Sequence, residues 1–304
     1  MAWNVRGSSP SAPASPAAVV LHIGAHKTAS THFQKTLLAH RADLSVAGCC
    51  YIGPDILRRR TPSSALGDVR NQPRRLDQIV ATARDAGQHV LVSDENILGR
   101  PCPPFIAEGG TLYPQAAARV SAFLARLGCA QVTLALSVRD PLAFLISAHG
   151  HQAMAGRPTP FEGFVSGIDP LALLWSDLVV RLLGCAHVAR IILWRFEDYP
   201  RLAPKLGSAL LGLPDAGAML AQSAAPQLTG VSAQALGQAQ ALLAQDPTRD
   251  PKRTVRQQMR LFPKSLRYPP LQPFAPACVA QSRRQYDADW DRLGTWADVT
   301  CLIL

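Results

Sequence analysis

The sequence predicts an α/β protein built on a parallel sheet with helices on both faces, and three observations carry that expectation. Short apolar runs recur at 19–23, 49–52, 89–93, 131–138 and 188–194, each reading as a buried strand. The segments between them carry apolar residues at helical spacing, as in Val120, Phe123, Leu124 and Leu127. The first run passes through a loop of small and hydroxyl residues directly into a helical pattern. Strands that alternate with helices need crossover connections, and crossovers make neighbouring strands parallel.

Taken in order, Val19–Ile23 is the first strand and Gly24 ends it. The loop GAHKTAST follows, and Phe33, Leu37 and Leu38 then mark the buried stripe of a helix. Cys49–Ile52 is a short strand closed by Gly53-Pro54, and 55–73, rich in Arg, Pro and Ser, reads as a loop. Arg74–Gly87 is helical through Leu76, Ile79, Val80 and Ala83, with Gly87 as its stop. His89–Ser93 is a strand running into Asp94-Glu95-Asn96, and the prolines and glycines of 99–113 make a loop. A helix over 114–128 leads to the strand 131–138 and then Arg139-Asp140-Pro141. Helical patterns at 141–155 and 171–183, a strand at 188–194 and a helix to about Leu211 complete the alternation. Residues 1–17, rich in Ala, Ser and Pro, read as a disordered tail, and 18–304 as one domain. From about 216 the chain is Ala/Gln-rich and mostly helical, an extension with a Pro-broken basic segment at 251–276.

Composition narrows the function classes. The 304 residues suffice for a sizeable core, and the net charge of +10 suits an anionic cofactor or an acidic acceptor. Aromatic residues are few and no basic-aromatic run appears, which argues against nucleic acid as partner. The seven cysteines show no CxxC spacing and read as thiols of a reducing compartment. No apolar run reaches the roughly 18 residues that span a bilayer, and 1–17 lack the apolar centre of a signal peptide. The cytoplasm is the expected location. His22 and His26, and His149 and His151, are not spaced to share a metal, so no metal site is expected.

The chemistry concentrates at the strand ends, where ligands of open parallel sheets bind. Lys27, the hydroxyls of Thr28, Ser30 and Thr31, and the unpaired N–H groups of the helix start gather around one point. Charge and dipole there favour an oxyanion, either phosphate or sulfate. A Walker loop requires a Gly-Lys pair, and this stretch has none.

His22–Thr28 followed by Ala29-Ser30-Thr31 resembles the 5′-phosphosulfate loop of sulfotransferases that use 3′-phosphoadenosine 5′-phosphosulfate (PAPS). Ala29 stands where that family usually has glycine. Arg139-Asp140-Pro141, with Ser147 eight residues after the arginine, is similar to the family's 3′-phosphate motif. Arginine suits that position through its two-pronged donor geometry. Trp194–Pro214 is similar to the family's late strand and helix, so the resemblance spans about 19–214.

The resemblance implies a P-loop NTPase-like fold and a PAPS-dependent sulfuryl transfer to a small-molecule, lipid or carbohydrate acceptor. It implies cofactor contacts from His26, Lys27, Thr28, Ala29, Ser30, Thr31, Arg139 and Ser147, with Lys27 also catalytic. Glu95 is the expected general base, and Asp94 or His26 stand behind it. Lys252, Arg253, Lys264 and Arg267 are undiscriminated candidates for a late basic loop. A P-loop kinase-type phosphotransferase and a non-catalytic anion-binding relative remain the alternatives.

Overall fold

The computed structural model describes residues 18–58, 76–213, 216–222 and 230–304. The sequence reading of 1–17 and most of the loop read at 55–73 lie outside the described residues. Six strands form one sheet: β1 (Val19–His22), β2 (Cys49–Ile52), β3 (His89–Ser93), β6 (Val132–Val138), β7 (Val188–Arg195) and β8 (Val299–Leu302). A separate two-stranded hairpin, β4 (Ala107–Glu108) and β5 (Thr111–Leu112), lies within the stretch read as loop. The sheet order is β2-β3-β1-β6-β7-β8, and every neighbouring pair is parallel. From β1 the chain therefore winds to one side through β2 and β3, and then to the other through β6, β7 and β8. The carboxyl end of β1, between β3 and β6, is the switch point of the fold.

Thirteen α-helices accompany the strands among the described residues. In the first half these are α1 (Ser30–Ala39), α2 (Arg41–Val46), α3 (Pro54–Leu57), α4 (Leu76–Asp85), α5 (Ala116–Leu127) and α6 (Pro141–Met154). The second half holds α7 (Phe161–Val165), α8 (Trp175–Leu183), α9 (Tyr199–Leu211), α10 (Ala216–Gln222), α11 (Ala233–Gln245), α12 (Pro251–Leu261) and α13 (Pro276–Leu293).

Period-two alternation of the strands divides the core between the two faces of the sheet. Val19, Leu21 and Ile23 point with Val90, Val92, Leu134 and Leu136 toward α4, α5 and α8. Val20, Leu91, Ala135, Ile192 and Trp194 point the other way, against Phe33 and Leu37 of α1 and Leu202, Leu206 and Leu210 of α9. Because β1 and β6 are buried on both faces, their sequences read as mostly apolar runs, interrupted only by His22, Thr133 and Ser137, rather than as an apolar–polar alternation.

The C-terminal part is mostly helical but is not merely appended. Tyr286, Trp290 and Leu293 of α13 enter the first core, and β8 returns to the sheet beside β7. Short terminal strands give no periodicity that a sequence reading can register, so β8 is absent from the expectations above.

Helices α9 and α10 approach each other closely at two glycines. A Cβ on Gly207 would collide with the backbone of Gly217, and one on Gly217 would meet the backbone of Pro204. Gly207→Ala must push the two helices apart, and the expected cost is about 1–3 kcal/mol in chemical denaturation. An unchanged midpoint would show that α10 moves freely.

Candidate functional site

The carboxyl ends of β1, β3 and β6 bring three polar segments together at the switch point. After β1 the chain continues along β6, since Ile23 N–H donates to Ala135 O (3.0 Å) and Ala25 N–H to Ser137 O (3.2 Å). Gly24 then turns with φ +32°, and a Cβ there would lie 2.5 Å from Ser30 Oγ. Beyond it Lys27 and Ala29 both take the left-handed conformation, each with φ 65°. Alternating left-handed residues turn successive N–H groups toward one side, a concave arrangement that accepts anions.

The backbone N–H groups of Lys27, Thr28, Ala29, Ser30 and Thr31 have no partner among the described residues. Helix α1 begins at Ser30 with Ala29 as N-cap and no side-chain cap, so its positive end is open. The hydroxyls are arranged differently from the sequence expectation. Thr28 Oγ1 and Ser30 Oγ both donate inward to Ala25 O, at 2.6 and 3.4 Å, and only Thr31 lies exposed. Donors for an anion therefore come from the backbone and from Lys27. Burial lowers the Lys27 pKa and the nearby Arg139 charge lowers it further, against an opposing pull from Glu95.

Arg139 reaches this loop from the end of β6. Its Nη1 donates to Lys27 O at 2.9 Å, and its guanidinium stacks on Phe196 at 4.4 Å. Its Nε is buried without a partner, and burial lowers its pKa. Neither Lys27 nor Arg139 forms an ion pair among the described residues. Pro141 opens α6 behind the Asp140 cap, which accepts from Ala143 N–H at 2.9 Å. Ser147 lies on α6, half-buried, with a hydroxyl that makes no hydrogen bond among the described residues.

The segment after β3 is tightly held. Arg58 grips Asp94 through Nε (3.0 Å) and Nη2 (2.6 Å), and the same Nη2 donates to Glu95 Oε1 at 3.0 Å. The other Glu95 oxygen accepts from Gln34 Nε2 at 2.7 Å. Burial alone would raise the Glu95 pKa, but the Arg58 charge and the Gln34 bond outweigh it and hold the carboxyl below its usual range. Asp94 Oδ1 also accepts from Asn96 N–H at 2.8 Å. Both carboxylates thus lie at the site, as their positions after β3 predict, but neither is free of arginine.

The histidines separate into structural and available ones. His22 is fully buried against Trp194 and Phe33, with Nδ1 2.8 Å from Ser93 Oγ, and burial lowers its pKa to about 4. His26 spends both ring nitrogens on neighbours, Nδ1 on Tyr113 Oη (3.0 Å) and Nε2 on Asn96 Oδ1 (3.1 Å). His149 is turned away to Thr159 O at 2.7 Å and packs on Phe161 and Phe164.

His151 differs from all of these. It is half-buried, makes no side-chain hydrogen bond among the described residues, and lies within charge range of Lys27, His26 and Glu95. Burial, then Lys27 and His26, bring its pKa down to about 4, so it is neutral at pH 7. The sequence signal for it was a spacing to Ser147 rather than to His149. Four residues on a helix place Ser147 and His151 on one face.

Lys252, Arg253, Lys264 and Arg267 are all exposed, on α12 and the loop after it. Among the described residues no group of His, Cys, Asp and Glu could hold a metal ion, and no helix is long and apolar enough to cross a membrane. All seven cysteines are free. No family model, curated protein or solved structure gives a significant match to this chain.

Ala29 holds a left-handed conformation that alanine disfavours by about 1 kcal/mol or more. Ala29→Gly should relieve that strain, partly offset by the greater freedom of glycine in the unfolded chain. The expected outcome is a rise in stability of up to about 1 kcal/mol by denaturant titration. A loss of stability would mean that the loop is not left-handed at this position.

Proposed function

We propose that this chain is a PAPS-dependent sulfotransferase of P-loop-like fold, acting on a hydroxyl or amine acceptor. The observation that carries this reading is the pair of half-buried cations, Lys27 and Arg139, flanking five backbone N–H groups with no protein partner. Two desolvated charges side by side are unfavourable without an anion, and the buried, unpaired Arg139 Nε adds an unmet donor to the same place.

In this reading Lys27 and the N–H groups of 27–31 hold the 5′ end of the nucleotide, and Arg139 with Ser147 holds its 3′-phosphate. When bound, PAPS supplies a sulfuryl group already activated for displacement. The work left to the chain is electrostatic and positional. Lys27 supports the negative charge that develops on the departing phosphate oxygen, by analogy with phosphoryl transfer. Arg139 fixes the loop through the Lys27 carbonyl and so keeps that ammonium in register.

An acceptor must also lose a proton. Glu95 has both oxygens committed to Gln34 and Arg58, whereas His151 is neutral and unbonded beside Lys27. We assign His151 as the base, with Glu95 and Arg58 shaping the electrostatics around it. A kinase-type reading has one feature in its favour: β3 is apolar and ends next to Asp94, the position of a magnesium ligand. Arg58 fills both oxygens of that carboxylate, and this observation disfavours it.

Adenosine 3′,5′-bisphosphate should therefore stabilise the protein without Mg²⁺, by about 2.7 kcal/mol at a hundredfold excess over Kd. Arg139→Ala should cost about 1.5–3 kcal/mol of that binding, and less for adenosine 5′-phosphosulfate, which lacks the 3′-phosphate and loses only what the loosened Lys27 loop contributes. A thermal-shift response to ATP·Mg²⁺ with none to the bisphosphate would overturn the reading.

The assignment of the base makes a separate expectation. His151→Asn should lower turnover by roughly 10²–10⁴ with bisphosphate affinity unchanged, and Glu95→Gln should do much less. Because the folded pKa of His151 is displaced down to about 4, its base form persists at neutral pH. The acid limb of kcat/KM should accordingly fall well below pH 6.5 rather than at it. A large loss in Glu95→Gln with His151→Asn near wild type returns the role to Glu95.

A further inference from the structure

The net charge is unevenly placed. Between 251 and 286 the chain has eight Lys and Arg residues and no Asp or Glu, so this stretch accounts for +8 of the total of +10. The eight are Lys252, Arg253, Arg256, Arg260, Lys264, Arg267, Arg283 and Arg284. All are exposed, and none forms an ion pair among the described residues. Helix α11, against which α12 packs, contributes no charge of either sign.

Helix α12 is strongly two-sided. Val255 and Gln258 are buried, while Lys252, Arg256 and Arg260 recur every four residues on the outer face. Leu261 ends the helix 63% exposed. The loop that follows is ordered by a Phe262–Tyr268 ring contact (5.4 Å) and by Ser265 N–H donating to Tyr268 O (3.0 Å). It carries Leu266 fully exposed between Lys264 and Arg267. One exposed leucine is ordinary on a protein surface. Two on the same helix–loop unit, set among cations whose nearest carboxylate in sequence is Asp250 at the start of α12, form a surface both apolar and cationic.

We propose that α12 and the loop after it dock on an anionic lipid bilayer. Lys and Arg would meet the headgroup phosphates, and Leu261 and Leu266 would enter the boundary of the acyl region. Charge complementarity supplies the first attraction, and the leucines distinguish a bilayer from other polyanions. Duplex DNA or a sulfated polysaccharide would use the cations and gain nothing from the leucines. The proposal does not depend on sulfuryl transfer, since none of these residues is assigned to that site.

The test is co-sedimentation of the full chain with vesicles of equal parts phosphatidylglycerol and phosphatidylcholine, alongside vesicles of phosphatidylcholine alone. Binding is expected to the anionic vesicles only, and to weaken as salt is raised. The pair Leu261→Ser and Leu266→Ser should lower the partition coefficient about tenfold or more, with thermal unfolding unchanged because both side chains are exposed. Arg256→Glu with Arg260→Glu should abolish binding. Absence of binding to anionic vesicles overturns the proposal. So does a leucine double variant that binds like wild type and is displaced by heparin or DNA, which would make the surface a general polyanion site.

Discussion

The hydrogen bond from Arg139 to the carbonyl of Lys27 holds the functional end of this molecule in shape. It ties the end of β6 to the loop leaving β1 and fixes the direction of the Lys27 peptide. With that carbonyl turned to Arg139, the left-handed residues at 27 and 29 leave the neighbouring N–H groups on the open side. The conformation is costly for non-glycine residues, and it persists because the surroundings determine it from several directions. Thr28 and Ser30 anchor it from beneath through Ala25 O, while Tyr113 binds both the backbone and the ring of His26.

That loop is fixed only because the sheet beneath it is rigid. β1 and β6 are covered by apolar side chains on both faces, so relative sliding would disturb two packed cores together. Near the end of β1 the polar groups are satisfied across strands, with His22 bonded to Ser93 and Gln34 shared between Ser93 and Glu95, whereas the buried Ser137 hydroxyl at the end of β6 has no partner among the described residues. Position in the sheet also determines which charges are available. The carboxylates after β3 face Arg58, whereas the cations after β1 and β6 face each other and remain without ion partners.

Much of this was legible in the residues. The five apolar runs became strands at nearly the read boundaries, since a strand buried on both faces leaves an unmistakable apolar signature. The strain at Ala29 was also foreseeable, because a loop position resembling a glycine site implies positive φ. The roles after β3 were not legible. Arg58 is far from Asp94 and Glu95 in sequence, and nothing in the local pattern indicates that it would claim both. The direction of the Thr28 and Ser30 hydroxyls was hidden for a related reason, as rotor choice depends on which carbonyl the folded loop presents. His151 was obscured because helical neighbours matter at three and four residues, and its partner at that spacing is a serine.

The sixth strand has a consequence for how the chain reaches its native state. β8 supplies residues 299–302, which pair with β7 at Ile191–Trp194, more than a hundred positions earlier. During synthesis the outer edge of β7 stays bare while all of α9 through α13 emerge. Contacts of such sequence separation form late and slow folding, and an uncovered apolar strand edge invites pairing with other chains meanwhile. The same geometry makes the stretch after Trp296 a poor place to shorten the protein. Losing four residues there would leave the sheet five strands wide, with an unpaired border.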